Sequence, residues 1–197
     1  MSQLYLRRQS VFIAGTALLG ALVFVLDWSF KLAGLKIPFP LLTFLKFDLL
    51  GIPILVSYFL FGFYSGTTTS IIAMISIAFR DPFSGFMKFL AEFTTIVGVF
   101  VVLRGKRSPN NWWKTTAMGM GILMRVTVMN VANVLLLPIF VLGQTFAAVI
   151  ALLPLLSIFN GLQGVISIFG GFLLYEAIAL RLHNEKNPKP KVAESDH

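Results

Sequence analysis

Met129-Asn130-Val131-Ala132-Asn133 and Phe159-Asn160-Gly161-Leu162-Gln163-Gly164 stand inside a run of 51 residues, Arg125 to Tyr175, that has one charge at its head and no other. A helix needs roughly 20 apolar residues to cross the hydrocarbon of a bilayer, so a run of this length holds parts of two crossings. An Asn or Gln at that depth finds no water, and its carboxamide must meet a partner on another helix or on a ligand. Asn130 and Asn133 are three apart, as are Asn160 and Gln163, so each pair shares one helix face. Two readings stay open here: polar faces that meet around a bound small molecule, or amides that join one helix to the next.

Composition places the rest of the chain in the same medium. Of 197 residues 57% are apolar and 12% charged, and the mean hydropathy is +0.85. That pattern is a polytopic membrane protein. The excess of 16 Lys and Arg over 8 Asp and Glu points to inward-facing loops and anionic lipid rather than nucleic acid, which a chain this rich in Phe, Leu and Ile is not built to bind. There is no cysteine, and His183 and His197 lie at or beyond the end of the last apolar segment. Neither a disulfide framework, a thiol nucleophile, a metal cluster nor a histidine-based centre inside the membrane is available, so an intramembrane enzyme is disfavoured and neither a metal nor a cofactor is expected. No phosphate-binding Gly-x-x-x-x-Gly-Lys-Ser/Thr motif is present, so any ATP-driven step must be supplied by another chain.

Taken in order, residues 9 to 27 read as a first helix, retained rather than cleaved because no small-x-small site precedes Asp27-Trp28. Ala14, Ala17 and Ala21 form a small-residue stripe on it, a surface that lets another backbone come close. Residues 28 to 47, with Pro38 and Pro40, read as a structured loop of about twenty residues, either a lid or an interfacial linker. Leu49 to Phe79 carries no charge and supplies two crossings divided by Gly62-Phe63-Tyr64-Ser65-Gly66, the second starting near Thr67. Arg80-Asp81-Pro82-Phe83-Ser84-Gly85 is a loop signal. A fourth helix follows from Phe86 to Leu103, a fifth over about 115 to 142, and a sixth over about 146 to 182, interrupted near Pro154. This gives one six-helix domain over 1–183 and a polar, disordered tail over 184–197. Ten Lys and Arg fall on the side of the termini and five on the other, with Arg125 between them, which places both termini in the cytoplasm of a cell-membrane protein. Glu92 and Arg125 are ionisable residues inside predicted helices, so each should face the bundle interior, where they can pair.

These residues together resemble the substrate-binding subunits, called S-components, of energy-coupling factor vitamin transporters, most closely the riboflavin-specific group. The resemblance is carried by Phe44-Leu45-Lys46-Phe47-Asp48 followed by Ile52-Pro53 and Phe61-Gly62-x-x-x-Gly66, by Asn133-Val134-Leu135-Leu136-Leu137-Pro138-Ile139-Phe140, and by Phe159-Asn160-Gly161-Leu162-Gln163-Gly164 running into Phe172-Leu173-Leu174-Tyr175. It implies an all-α, six-helix S-component-like bundle. Its transported ligand would be riboflavin, contacted by Asn133 and Asn160 with Gln163 beside them. The loop before the second helix would close over the outer end. The candidate binding set is therefore Asn133, Asn160, Gln163 and Asn130, with Phe39, Phe44, Lys46 and Asp48 from the loop region and Glu92 from the fourth helix. The same resemblance makes Ala17 and Ala21, with Ala14, a docking face for a transmembrane coupling subunit that works with two ATPase subunits. The chain departs from the riboflavin group at Gln163, where Lys is usual, at Gly51, where Asp is usual, and at Ala73, where Lys is common; helix four has Lys88-Phe89 in place of a Gly-Glu pair. A different vitamin, or a membrane assembly role without transport, are the competing readings.

Overall fold

In the computed structural model, residues 3–106, 110–141, 143 and 145–186 are described. Among them six α-helices and one hairpin follow in the order α1 (Gln3–Leu32), β1 (Ile37–Phe39), β2 (Leu42–Phe47), α2 (Gly51–Phe61), α3 (Phe63–Ala78), α4 (Pro82–Leu103), α5 (Asn111–Phe140) and α6 (Phe146–Lys186). α1 packs on α3, α3 on α4, α4 on α5, α5 on α6, α6 on α2 and α2 on α1, which closes a ring. α1, α4, α5 and α6 are long and apolar enough to cross a membrane. α2 has 11 residues and α3 has 16, so at 1.5 Å per residue they reach only about 16 and 24 Å. The hairpin, the connection at 79–81, the end of α5 and the start of α6 gather at one end of the ring, the hairpin end. The start of α1, the turn at Gly62, the end of α4, the start of α5 and the end of α6 gather at the other, the terminal end.

The core is apolar where the helices converge: Val23, Leu50, Ile54, Leu55, Ile96, Val99 and Ile168 are buried together. α4 and α5 approach closely, since a Cβ on Gly98 would lie 2.7 Å from the Gly121 Cα and 2.7 Å from the Met120 carbonyl. Hydroxyls stitch the first three helices. Ser65 Oγ is 2.6 Å from both Thr16 Oγ1 and Ser57 Oγ, and Ser57 Oγ is 2.8 Å from Thr69 Oγ1. Each hydroxyl can donate once and accept again, so the chain satisfies itself without water.

Several boundaries differ from the expectations above, each for a local reason. The all-α class needs an addition, because the loop expected over 28–47 is instead a helical extension and a two-stranded antiparallel hairpin. α1 continues past Asp27 to Leu32 because the Asp27 carboxylate, fully buried, is bonded by Lys36 Nζ at 2.9 Å, Arg80 Nη2 at 2.6 Å and Ser76 Oγ at 2.8 Å. It stops at Gly34, whose φ of 66° suits glycine. The hairpin pairs Ile37 with Phe47, Pro38 with Lys46 and Phe39 with Leu42, with an irregularity between Pro38 and Phe39. Pro38 fits because a two-stranded ribbon has free edges that need no N–H there.

The break expected over 62–66 shrinks to Gly62 alone, φ 92°, and α3 starts at Phe63 because the Ser65 hydroxyl and the closely packed Gly66 are needed inside the bundle. The loop read at 80–85 is a helix start: Pro82 opens α4, and the Asp81 side chain accepts from Ser84 N at 3.1 Å. Asn110 caps α5 in the same way, accepting from Trp113 N at 3.1 Å, so this helix begins four residues before the expected 115. Pro154 does not interrupt α6. It lies on the exposed face while Val149 and Leu156 beside it are buried, so packing holds the helix despite one missing N–H. Residues 184–186, expected in the tail, continue α6; the rest of that tail, 187–197, lies outside the described residues.

Candidate functional site

The hairpin lies over the α5–α6 end of the ring. Strand alternation sorts β2 from Phe44 on: Leu45 and Phe47 turn toward the bundle, whereas Phe44 and Lys46 are exposed, and Leu42, at the start of the strand, is also half-buried. Leu42 and Leu45 pack on a second apolar cluster formed by Leu137, Val149 and Leu156. Phe39, 5% exposed, and Phe47 close on Phe159 of α6, with ring centroids 5.8 Å apart for Phe39–Phe47, 5.8 Å for Phe39–Phe159 and 4.9 Å for Phe47–Phe159. Phe159 immediately precedes Asn160, so this aromatic box sits directly beside the second amide cluster.

Both ends of the hairpin are tied down by charge. Before β1, Lys36 bonds Asp27. After β2, Asp48 is held three ways: its N–H donates to Gln163 Oε1 at 3.3 Å, its carbonyl accepts from Gln163 Nε2 at 2.8 Å, and its carboxylate accepts from Lys88 Nζ at 2.7 Å. Gln163 thus imitates a strand partner, with both ends of its amide engaged on one backbone residue. Its neutral side chain suits that task, since a Lys there has no acceptor for the Asp48 N–H.

Lys88 leads inward. Its Nζ lies 3.0 Å from Glu92 Oε1, and Arg125 Nη1 donates to the same oxygen at 3.0 Å. Asp48, Lys88, Glu92 and Arg125 form a charge-balanced chain from the hairpin into the middle of the bundle, so the pairing of Glu92 with Arg125 is realised. Glu92 is fully buried and Arg125 2% exposed. Such a chain needs every charge matched, because an unpaired one inside a membrane helix is costly. Gly51 belongs to this arrangement: a Cβ there would run into the Ser167 side chain and lie 3.0 Å from Glu92 Oε1. An Asp at 51 would bring a second carboxylate against Glu92.

The amides divide by what they bond. Asn130 Nδ2 donates to Ser157 Oγ at 2.7 Å, and that hydroxyl donates to the Leu153 carbonyl. Asn130 therefore joins α5 to α6 and sets their register. Asn133 is 5% exposed, Asn160 4%. Among the described residues Asn133 makes no side-chain hydrogen bond, and Asn160 makes one, from Nδ2 to the Leu156 carbonyl of its own helix at 2.9 Å. The Asn133 amide and the Asn160 carbonyl have no hydrogen-bond partner among the described residues and are free to bond something else, whereas the amide oxygen that is both fully buried and unpartnered is Asn130 Oδ1. Because α5 and α6 run in opposite directions from the Asn130–Ser157 contact, Asn133 lies a turn toward the hairpin end and Asn160 a turn away, roughly 9 Å apart along the axis.

Some of the residues involved were not anticipated. Lys88 is the link between hairpin and ion chain, and its i,i+4 spacing to Glu92 is a legible signal. Asp27 is the only acid before Asp48 and sits in an apolar helix, a placement that itself asks for a partner. Outside the pocket, Ala14, Ala17 and Ala21 are exposed, while Thr16, Gly20, Val23 and Asp27 on the other side of α1 are buried. The small-residue stripe therefore faces away from the bundle.

No family model matches the sequence, and no curated protein matches it. Among solved structures, one described as the S component of a bacterial ECF transporter superposes with a TM-score of 0.72 at 24% identity, covering 88% of this chain and 98% of that one. The chain has the S-component fold.

Proposed function

We propose that this chain is the substrate-capture subunit of an energy-coupling factor importer and that its cargo is riboflavin or a closely related flavin. The observation that carries the reading is a pair of largely buried carboxamides with open hydrogen-bonding capacity, Asn133 and the carbonyl of Asn160, the latter next in sequence to Phe159 of the Phe39–Phe47–Phe159 box. A flat heteroaromatic ring offers π faces to such a box and donors and acceptors along its edges to such amides. Gln163, Lys88 and Asp48 hold the hairpin over the cargo, Asn130 sets the helices, and the Glu92–Arg125 pair braces the floor. Phe44 and Lys46, on the exposed face of β2, are where an arriving ligand first meets the chain. The subunit performs no chemistry on its cargo and needs no cofactor.

In this reading both termini are cytoplasmic and the hairpin end faces outward. The exposed Ala14, Ala17 and Ala21 stripe docks on a transmembrane coupling subunit driven by two ATPase subunits, since small residues permit close backbone approach. Transport of another vitamin through the same fold is the second reading, favoured by the neutral Gln163. Purified protein decides between them: bound flavin absorbs in the visible, and titration of stripped protein quenches flavin fluorescence saturably. Colourless protein that leaves flavin fluorescence unchanged rules out riboflavin and leaves the fold to a different cargo.

A further inference from the structure

At the terminal end, far from the hairpin, α2 to α6 border an open cavity of about 460 Å³ lined by Tyr58, Phe59, Phe63, Phe100, Phe172 and Tyr175 together with Lys114. It exists because α2 and α3 are short. Their turn at Gly62 closes at the level where Phe59 meets Tyr175, ring centroids 5.6 Å apart, whereas α6 runs on from Tyr175 to Lys186, roughly 16 Å further. The mouth is polar and basic. Lys114 Nζ lies 3.0 Å from Glu176 Oε1 and 5.4 Å from the Phe172 ring, and both partners of the ion pair are partly exposed. Lys106 Nζ sits 3.2 Å over the Trp113 ring and donates to the Val102 carbonyl, and Arg104 follows directly on α4. Lys114 is the cation that lines the cavity, and Lys106 stands next to it over the Trp113 ring. Trp112 and Trp113, both exposed, mark the depth at which indoles settle among lipid headgroups.

We infer that this cavity binds one anionic phospholipid from the leaflet at the terminal end, with an acyl chain among the aromatic rings and the phosphate against Lys114. The lining joins aromatic rings to the Lys114 ammonium, so an acyl chain with an anionic headgroup matches both parts of it. The ammonium of Lys114 has three donors, of which Glu176 takes one, so a phosphate can bond the others without breaking the pair. Basic pockets between helices at a membrane face attract anionic headgroups by charge. Nothing in this depends on the cargo bound at the hairpin end.

Native mass spectrometry of the full chain released from nanodiscs of equimolar phosphatidylglycerol and phosphatidylcholine tests it. One phosphatidylglycerol per chain should be retained, about fivefold in excess over phosphatidylcholine, the preference expected from one lysine near the headgroup. Lys114→Glu should abolish the excess, and Lys106→Glu, which removes the neighbouring cation over Trp113, should lower it. Lys31→Glu, the same charge change at the hairpin end, should leave it intact. Equal retention of the two lipids by the unmodified chain overturns the proposal. So does an equal effect of the Lys31 and Lys114 substitutions. Displacement of the adduct by glycerophosphoglycerol or inorganic phosphate also overturns it, since that result would make the mouth an ion site rather than a lipid site.

Discussion

Single residues carry opposite duties here although their types are alike. Asn130, Asn133, Asn160 and Gln163 are all amides at membrane depth, yet Asn130 bonds Ser157 through Nδ2 alone and Gln163 grips the Asp48 backbone, while Asn133 and the Asn160 carbonyl stay open. Asn133→Ala and Asn160→Ala should therefore each weaken flavin binding about tenfold, the value of one or so net hydrogen bond, with little change in thermal unfolding. Fluorescence titration beside a melting curve in detergent checks both halves, and an unchanged affinity would remove these residues from the cargo site. Glu92 is the contrasting case. It neutralises both Lys88 and Arg125, so Glu92→Ala strands buried cations, and a loss of about 3–5 kcal/mol is expected on the scale of broken buried pairs. The readout is a large drop in melting temperature with or without ligand, which separates a structural brace from a cargo contact.

Elements owe their limits to a few capping and packing contacts. α4 begins where it does because Asp81 accepts from the backbone N–H and the hydroxyl of Ser84. The Ser84 hydroxyl bond, aided by the backbone N–H groups of Ser84 and Phe83 against a small burial penalty, holds the Asp81 carboxyl below its ordinary value. A carboxyl lowered on folding favours the folded state above its ordinary pKa, and that contribution fades as pH falls through the lowered folded value. Asp81→Ala should cost about 1 kcal/mol at neutral pH, as lost N-caps do, and the gap between variant and parent should narrow in acid below the usual carboxylate range. Unfolding curves at pH 7 and pH 3 measure it. The hairpin is the element least legible beforehand. Pro38 and Pro40 announce that no helix can pass, but strand pairing depends on Phe39 and Phe47 finding Phe159, a residue more than a hundred positions away. Local pattern cannot report such a contact.

At the scale of the molecule, the ring has one face of α1 buried and one free. The buried face holds Thr16, Gly20, Val23 and Asp27; the free face holds Ala14, Ala17 and Ala21. If the free face docks a coupling subunit, Ala17→Trp should abolish uptake in cells that contain the rest of the transporter while leaving flavin affinity and melting temperature of the purified subunit unchanged. Normal uptake by that variant would move the docking surface elsewhere. The closed ring also explains how helices as short as α2 and α3 are tolerated: each is flanked by longer neighbours, and their polar groups answer one another through Ser57, Ser65 and Thr69 rather than through lipid.

Composition and charge alone were enough to place the chain in a bilayer, to locate its six helices, with the ends of the first one the furthest off, and to single out Asn133, Asn160, Glu92 and Arg125 as groups that must find partners. These are properties of solvent: hydrocarbon penalises each unmatched polar group wherever it lies, so the demand is written at the residue itself. Which partner answers is another matter. That Gln163 would hold Asp48, that Lys88 would bridge the hairpin to Glu92, that Asp27 would gather Lys36, Ser76 and Arg80, and that a cavity would open beneath a short α2–α3 turn all depend on packing between segments far apart in the chain. Only the closed ring brings those segments within the few ångströms at which hydrogen bonds and ion pairs act.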